Sequence, residues 1–286
     1  MKKIRKAVIP VAGMGTRFLP ITKSVPKEML PIVDRPTLDY IIDEAVASGI
    51  EEILLITSPY KKVIEDYYDE HYELESRLEK SGKLEQLELV RGISKKVSIF
   101  YRRQGEPMGS GHAINLARNF IGDEPFAVLY GDDLMKYDKP VLKQLIEVYE
   151  KYDCNVIGVS EVPRELVNKY GIIEFEDKDT GKIKTIVEKP SIDSAPSNIA
   201  GLGRYIVKSD IFDILDDLKP GVGNEVQFTD AMKELMNSQD FYVCQYEGTY
   251  YDTGSKLGYM KANIDFGLEH QELKDGLKVF INEKNN

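Results

Sequence analysis

The 286-residue sequence has no tryptophan, only two cysteines and only three histidines. Cys154 and Cys244 each lie in an apolar run with no histidine close in sequence. They read as buried structural thiols, which suits a reducing cytoplasm and implies no disulfide framework. His71, His112 and His270 are too scattered for a zinc site. No apolar run approaches membrane-spanning length. The opening MKKIRKAVIP is basic, yet its apolar stretch is too short for a signal sequence. An excess of positive charge is also missing. The formal net charge is −10, which argues against nucleic acid or an anionic membrane as a partner. A local basic pocket is compatible with that balance. No serine or cysteine has a plausible base beside it, so an activated nucleophile is not expected.

What is present is an ordinary soluble composition, 42% hydrophobic and 30% charged, on a chain long enough to bury a large core. There is no internal repeat and no low-complexity linker. Ala7–Val11 reads as a strand, Thr37–Ser48 as a helix with Leu38, Ile41, Ile42 and Ala45 on one face, and EILLIT from Glu52 to Thr57 as a second buried strand. This rhythm predicts a mostly parallel α/β sheet flanked by helices. Residues 61–96 are charged and helical in pattern, with a break at Ser81-Gly82. Further strands are expected at Val97–Tyr101, Phe126–Tyr130 and Asn155–Val162. After that the pattern becomes richer in strands. A hairpin is expected around Asp179-Thr180-Gly181, then strands at Asn198–Val207 and Phe241–Gln245, with a loop over 221–229, a helix over Asp230–Asn237 and a C-terminal helix from about Lys256. This later material is expected to lie over one side of the sheet. Residues 1–286 read as one domain, with a nucleotide-binding half up to about residue 162 and a second half beyond it.

In open parallel sheets, ligands bind beyond the carboxyl ends of the strands. Four polar clusters are expected there. The first is Gly13-Met14-Gly15-Thr16-Arg17, where two glycines let backbone amides approach an anion and Arg17 adds a cationic fork. The second joins Gln104 to Gly109-Ser110-Gly111. The third is Asp132-Asp133, suited to Mg²⁺, which takes one or two carboxylates plus phosphate oxygens, or else a simple capping turn. The fourth is Asp252, readable as a second ligand to that ion or as an Asx-turn. Phe18 and Pro20 stand where a dinucleotide-binding fingerprint needs a third glycine and an immediate helix, and no Gly-Lys-Ser/Thr follows the glycines. Lys27 and Lys189 each precede or follow a proline closely and are readable as surface charges or as neutralisers of a transferring phosphoryl group.

The ordered set resembles the sugar-nucleotide pyrophosphorylases, a nucleotidyltransferase family. The residues are GMGTRFLP at 13–20, PKEMLP at 26–31, Gly109–Ala113, Gly131-Asp132-Asp133, Tyr170-Gly171-Ile172, Val187–Pro190 and Tyr251–Gly254. With the charged segment before Val97 and Asn224–Asp230, the chain is most similar to the bacterial branch acting on UTP and glucose 1-phosphate. The resemblance implies a Rossmann-like, glycosyltransferase-A-like fold and Mg²⁺-dependent formation of UDP-glucose and pyrophosphate by direct attack at the α-phosphorus. It implies that Ala12, Gly13, Glu28, Gln104, Met108 and Gly109 surround uracil and ribose, and that Gly15, Thr16, Arg17 and Lys27 hold the triphosphate. Gly171, Glu188 and Gly203 would contact glucose, and Lys189 its phosphate. Asp132 and Asp252 would bind the metal. Arg17, Lys27, Asp132 and Lys189 would carry catalysis, in a homo-oligomer, dimer or tetramer. The same chemistry with another nucleotide such as dTTP, and a non-catalytic sugar-nucleotide-binding regulator, are the competing readings.

Overall fold

The structure, a computed structural model, describes residues 1–221 and 224–285. Thirteen strands occur among them: β1 Lys6–Pro10, β2 Pro31–Ile32, β3 Arg35–Pro36, β4 Glu52–Thr57, β5 Ser98–Arg103, β6 Phe126–Leu129, β7 Asp133–Lys136, β8 Asn155–Glu161, β9 Gly171–Asp177, β10 Lys182–Glu188, β11 Ile199–Val207, β12 Phe241–Gln245 and β13 Thr249–Asp252. The helices are α1 Thr37–Ala47, α2 Lys62–Tyr68, α3 Tyr72–Lys80, α4 Leu84–Ser94, α5 Ser110–Asn115, α6 Arg118–Ile121, α7 Val141–Tyr152, α8 Ile211–Asp217, α9 Phe228–Leu235, α10 Lys256–Gly267 and α11 Lys274–Asn285.

Nine strands form one sheet in the order β5-β4-β1-β6-β11-β8-β12-β10-β9. The β5-β4-β1-β6 block is parallel. β11 runs antiparallel between β6 and β8. The strand-rich later material therefore extends the sheet in its own plane rather than lying over one side, as the sequence led us to expect. The central strands β1, β6, β8 and β11 are buried along most of their length, and such strands want cover on both faces. Ala7 and Ile9 of β1 face a core shared with Leu38, Ile41 and Ile42 of α1 and Leu142 and Leu145 of α7. Val8 faces the other core, with Ile114 of α5, Phe212 of α8 and Met232 of α9. Burying each such aliphatic side chain stabilises the fold by roughly 1.5–3 kcal/mol.

Several local differences from the sequence reading have simple causes. β7 and β13 were not expected. They pair with each other outside the main sheet, with Asp252 opposite Asp133. Asp252 thus ends a two-stranded ribbon and not a strand of the parallel sheet. Helix α9 starts at Phe228, because Phe228 and Thr229 are buried with its apolar face. Residues 222 and 223 of the expected loop lie outside the described residues. The C-terminal helix is two helices, separated at 268–273. Cys154 and Cys244 are free and buried, and burial pushes both thiols up to about 12. Among the described residues, no helix is long and apolar enough to cross a membrane.

Candidate active site

β1 delivers the chain to the Gly13 loop at its carboxyl end. Gly15 adopts a left-handed conformation (φ 65°), which glycine reaches without strain. A side chain there would press on Lys27 Cβ and Thr22 Cγ2, both at 3.3 Å. Thr22 Oγ1 donates to the Gly15 carbonyl at 2.8 Å, closing the loop. The loop's backbone is thus held directly against the start of the 3₁₀ turn Lys27–Met29. From that turn the Lys27 ammonium reaches the Asp132 carboxylate and pairs with it. Burial works against both charges, but each outweighs the cost for the other. Lys27 is held above the usual lysine range and Asp132 below the usual carboxylate range.

Asp132 sits in the turn between β6 and β7, and Asp133 opens β7. Gly131 must be small: a Cβ there would lie 2.6 Å from Val11 Cγ1, so the turn packs tightly under the first loop. The β7–β13 ribbon folds back over this turn. Thr253 donates to the Asp132 carbonyl through both its backbone N–H (2.9 Å) and its hydroxyl (2.7 Å). Asp252 is salt-bridged to Arg17 at 3.5 Å. A side chain on Gly254 would collide with Asp132 Oδ2 and lie 3.0 Å from Asp252 Oδ1 and 3.2 Å from Arg17 Nη2. Two carboxylates and a guanidinium therefore converge on one point. Asp133 turns the other way and accepts a 2.7 Å hydrogen bond from the Tyr250 hydroxyl. Burial and the neighbouring Asp132 charge push its carboxyl up to about 7.

Across the cleft, β9 and β10 place Gly171 opposite Glu188, and β11 pairs Gly201 with Gly171. Glu188 accepts from Thr229 Oγ1 at 2.9 Å and pairs with Lys189 Nζ at 2.9 Å. Lys189 has φ 43° although it precedes Pro190. A non-glycine residue rarely adopts that conformation, at a cost on the order of 1–3 kcal/mol. Its backbone N–H donates to the Tyr170 carbonyl at 3.0 Å, which holds the bend. Gly203 (φ 59°) has no room for a side chain, because Asp133 Oδ2 occupies that space.

Arg17, Asp132, Asp252, Gly171, Glu188, Lys189 and Gly203 all line one cleft of about 1100 Å³. The remaining residues singled out in the sequence are placed as follows. Ala12 is partly exposed and Gly13 exposed beyond β1; Thr16 opens the next turn. Gln104 is buried beyond β5, with its Nε2 3.3 Å from the Gly109 carbonyl and 2.8 Å from His112 Nδ1. Gly109 packs against residue 226, where a Cβ would lie 2.5 Å from the Val226 carbonyl oxygen; Met108 is 40% exposed. Glu28 is 1% exposed and does not face solvent. It pairs with Lys61, whose ammonium also donates to the Val11 carbonyl. Burial pushes Glu28 up and Lys61 down, while their contact opposes both shifts. Sequence reasoning missed Tyr250, Thr229 and Lys61. Lys61 carried a faint signal as the first cation after a strand end, but it stood at the head of a charged stretch that reads as solvated.

Residues 6–267 match the family model described as nucleotidyl transferase. The chain belongs to the nucleotidyl transferase family. Relatives named UTP–glucose-1-phosphate uridylyltransferase include one from Staphylococcus epidermidis, 48% identical over 99% of both chains. Another, from Bacillus subtilis, is 50% identical over 98% of this chain and 97% of its own. Among solved structures, a UTP-bound UGPase from Acinetobacter baumannii is 40% identical, covers 98% of this chain and 99% of its own, and superimposes with a TM-score of 0.91. A UDP-glucose pyrophosphorylase complexed with UDP-glucose is 43% identical over 93% of this chain and 100% of its own, with a TM-score of 0.85. This member of the nucleotidyl transferase family therefore shares both its fold and nearly its full length with them.

Proposed function

We propose that the protein transfers a uridylyl group from UTP to glucose 1-phosphate, giving UDP-glucose and pyrophosphate. The observation that carries the reading is the convergence of Asp132, Asp252 and Arg17, all lining one cleft, around Gly254, with Lys27 bonded to Asp132. The full-length similarity to relatives bearing that name supports the choice of substrates. In the reaction, an oxygen of the sugar phosphate forms a bond to the α-phosphorus. The bond from that phosphorus to the bridging oxygen breaks, and its electron pair leaves with pyrophosphate. Arg17 and Lys27 would hold the triphosphate on one side, together with the amides of Gly15 and Thr16. Lys189 would hold the sugar phosphate on the other. Cations on both sides of the reacting phosphorus stabilise charge that grows in the transition state. Glu188, Gly171 and Gly203 would border the sugar. Ala12, Gly13, Gln104, Met108 and Gly109 would form the base and ribose side, with the buried Glu28 paired to Lys61 supporting it from within.

The family reaction calls for a divalent metal, and we assign Mg²⁺. The donor set fits it. Asp132 is kept ionised, and Asp252 lies beside it near the same point, while phosphate oxygens would complete a shell that no three protein groups supply among the described residues. Asp132 and Asp252 would hold the ion, which would supply neutralisation of the phosphate charge.

Pyrophosphate release measured with each nucleoside triphosphate in turn tests the reading. UTP with glucose 1-phosphate is expected to turn over fastest; faster turnover with dTTP would reject it, and no turnover with any pair would favour a binding regulator. A reducing cytoplasm suits the two free thiols. Self-association completes the proposal. Leu273, Val279 and Phe280 at the C-terminal end are 44%, 58% and 54% exposed and could contribute apolar surface to such an interface. Light scattering at micromolar concentration is expected to give a dimer or tetramer, and a monomer mass would count against it.

A further inference from the structure

We infer that Arg204 is a positioning residue that locks the Asp132-Asp133 turn to the opposite wall of the cleft. It rests on the roles proposed above for Asp132 and Gly203. Arg204 is fully buried in β11, at an irregularity in its pairing with β8 between Gly201 and Tyr205. Such irregularities re-aim side chains. Its guanidinium makes bonds in three directions. Nη2 donates to the Asp133 carbonyl at 2.8 Å. Nη1 donates to the Gly203 carbonyl at 3.0 Å. Nε and Nη2 hold the Glu44 carboxylate at 3.0 and 2.7 Å. Glu44, 1% exposed on α1, also accepts from the Leu142 backbone N–H at 2.9 Å, at the start of α7.

A buried ion pair is a poor device for stability alone, because well-packed apolar side chains often do as well. The surrounding core is apolar, containing Ala45, Leu145 and Leu202, so an apolar solution was sterically at hand. What an apolar side chain cannot supply is a rigid fork of donors aimed at two main-chain carbonyls. One carbonyl belongs to the residue after Asp132. The other belongs to Gly203, whose missing side chain makes room for the Asp133 carboxylate and whose carbonyl also accepts from the Tyr130 N–H. Arg204 therefore joins the carboxylate turn to the sugar wall in one rigid unit, and Glu44 fixes the fork to α1 and α7. A displacement of about 1 Å at a reacting group can cost roughly 10²-fold in rate.

Arg204→Lys keeps a cation beside Glu44 but cannot reach both carbonyls. Its kcat is expected to fall about 10- to 100-fold with KM for UTP within about twofold of wild type. Arg204→Met is expected to lower both kcat and Tm, since it strands the Glu44 charge. Adding Glu44→Gln removes that charge yet keeps an acceptor for Leu142, so Tm is expected to recover while kcat stays low. A crystal structure of Arg204→Lys is expected to show the Asp132 carboxylate displaced. Recovery of kcat together with Tm in the double variant, or wild-type kcat in Arg204→Lys, would overturn the inference. If Arg204→Met does not fold, Arg204→Lys decides by the same numbers. Should wild type itself fail to turn over, the proposed reaction fails, and the position of Asp132 in the variant crystal still decides the role of Arg204.

Discussion

Asp132→Ala is expected to lower kcat about 10³-fold or more while the fold survives. Two losses combine in that variant. The carboxylate that would meet the divalent ion is gone, and metal-assisted charge neutralisation is worth several kcal/mol, or roughly 10²- to 10³-fold. Lys27 loses the partner that holds its charge against burial, so its ammonium is weakened as a phosphate ligand. The carbonyl anchored by Thr253 remains, so the turn itself persists and far-UV circular dichroism should be unchanged. The ion pair also leaves a signature in stability. The folded carboxyl is held below its ordinary value, so the contribution exists above about pH 3.9 and fades as pH falls through the lower folded value. Melting curves of wild type and variant should therefore differ at neutral pH and converge on acidification. A kcat near wild type, measured by pyrophosphate release, would remove Asp132 from the reaction.

Lys189→Ala is expected to reduce kcat/KM for glucose 1-phosphate about 10²- to 10³-fold and to leave KM for UTP within about threefold. The placement of Lys189 gives the asymmetry. It stands on the wall built from β9 and β10, beside Glu188 and Gly171, while Arg17 lines the same cleft and Lys27 is bonded to Asp132. Its left-handed backbone, held by the Tyr170 carbonyl, spends conformational energy to aim one side chain. Alanine also carries a Cβ, so the strain is the same in the variant and Tm should move little. The side chain is 48% exposed and its ion pair with Glu188 adds little stability. An equal loss in UTP binding would place Lys189 on the wrong substrate. Unchanged kinetics would return it to the class of solvated surface lysines.

The parts of this site that the sequence disclosed are those with a local pattern. EILLIT matches β4 residue for residue, because it is a short continuous apolar run between Glu51-Glu52 and Ser58-Pro59. The two glycine loops and Asp132-Asp133 stand where such runs stop. β7 and β13 escaped notice because each is four residues long with only two apolar residues between polar ends, and their pairing is a tertiary fact. The in-plane extension of the sheet was equally hidden, since hydrophobic periodicity tells which strands are buried and not which lie side by side. Arg204 did leave a trace, as the one charged residue in an otherwise apolar strand. Its partner Glu44 lies on a helix where charge next to Ala45 looks ordinary. Only the fold reveals that the two meet.

The antiparallel insertion of β11 has a consequence for the order in which the protein becomes itself. β6 and β8 are both synthesised before β11, and each has an edge that only β11 satisfies. Until Val207 has left the ribosome, β6 and β8 carry open apolar edges, which are templates for wrong pairing. The same strand brings Gly203 and Arg204 to the Asp132-Asp133 turn. Joining the two halves of the sheet and bringing Gly203 against the Asp132-Asp133 turn are therefore one event, and Asp252 arrives later still, with β13.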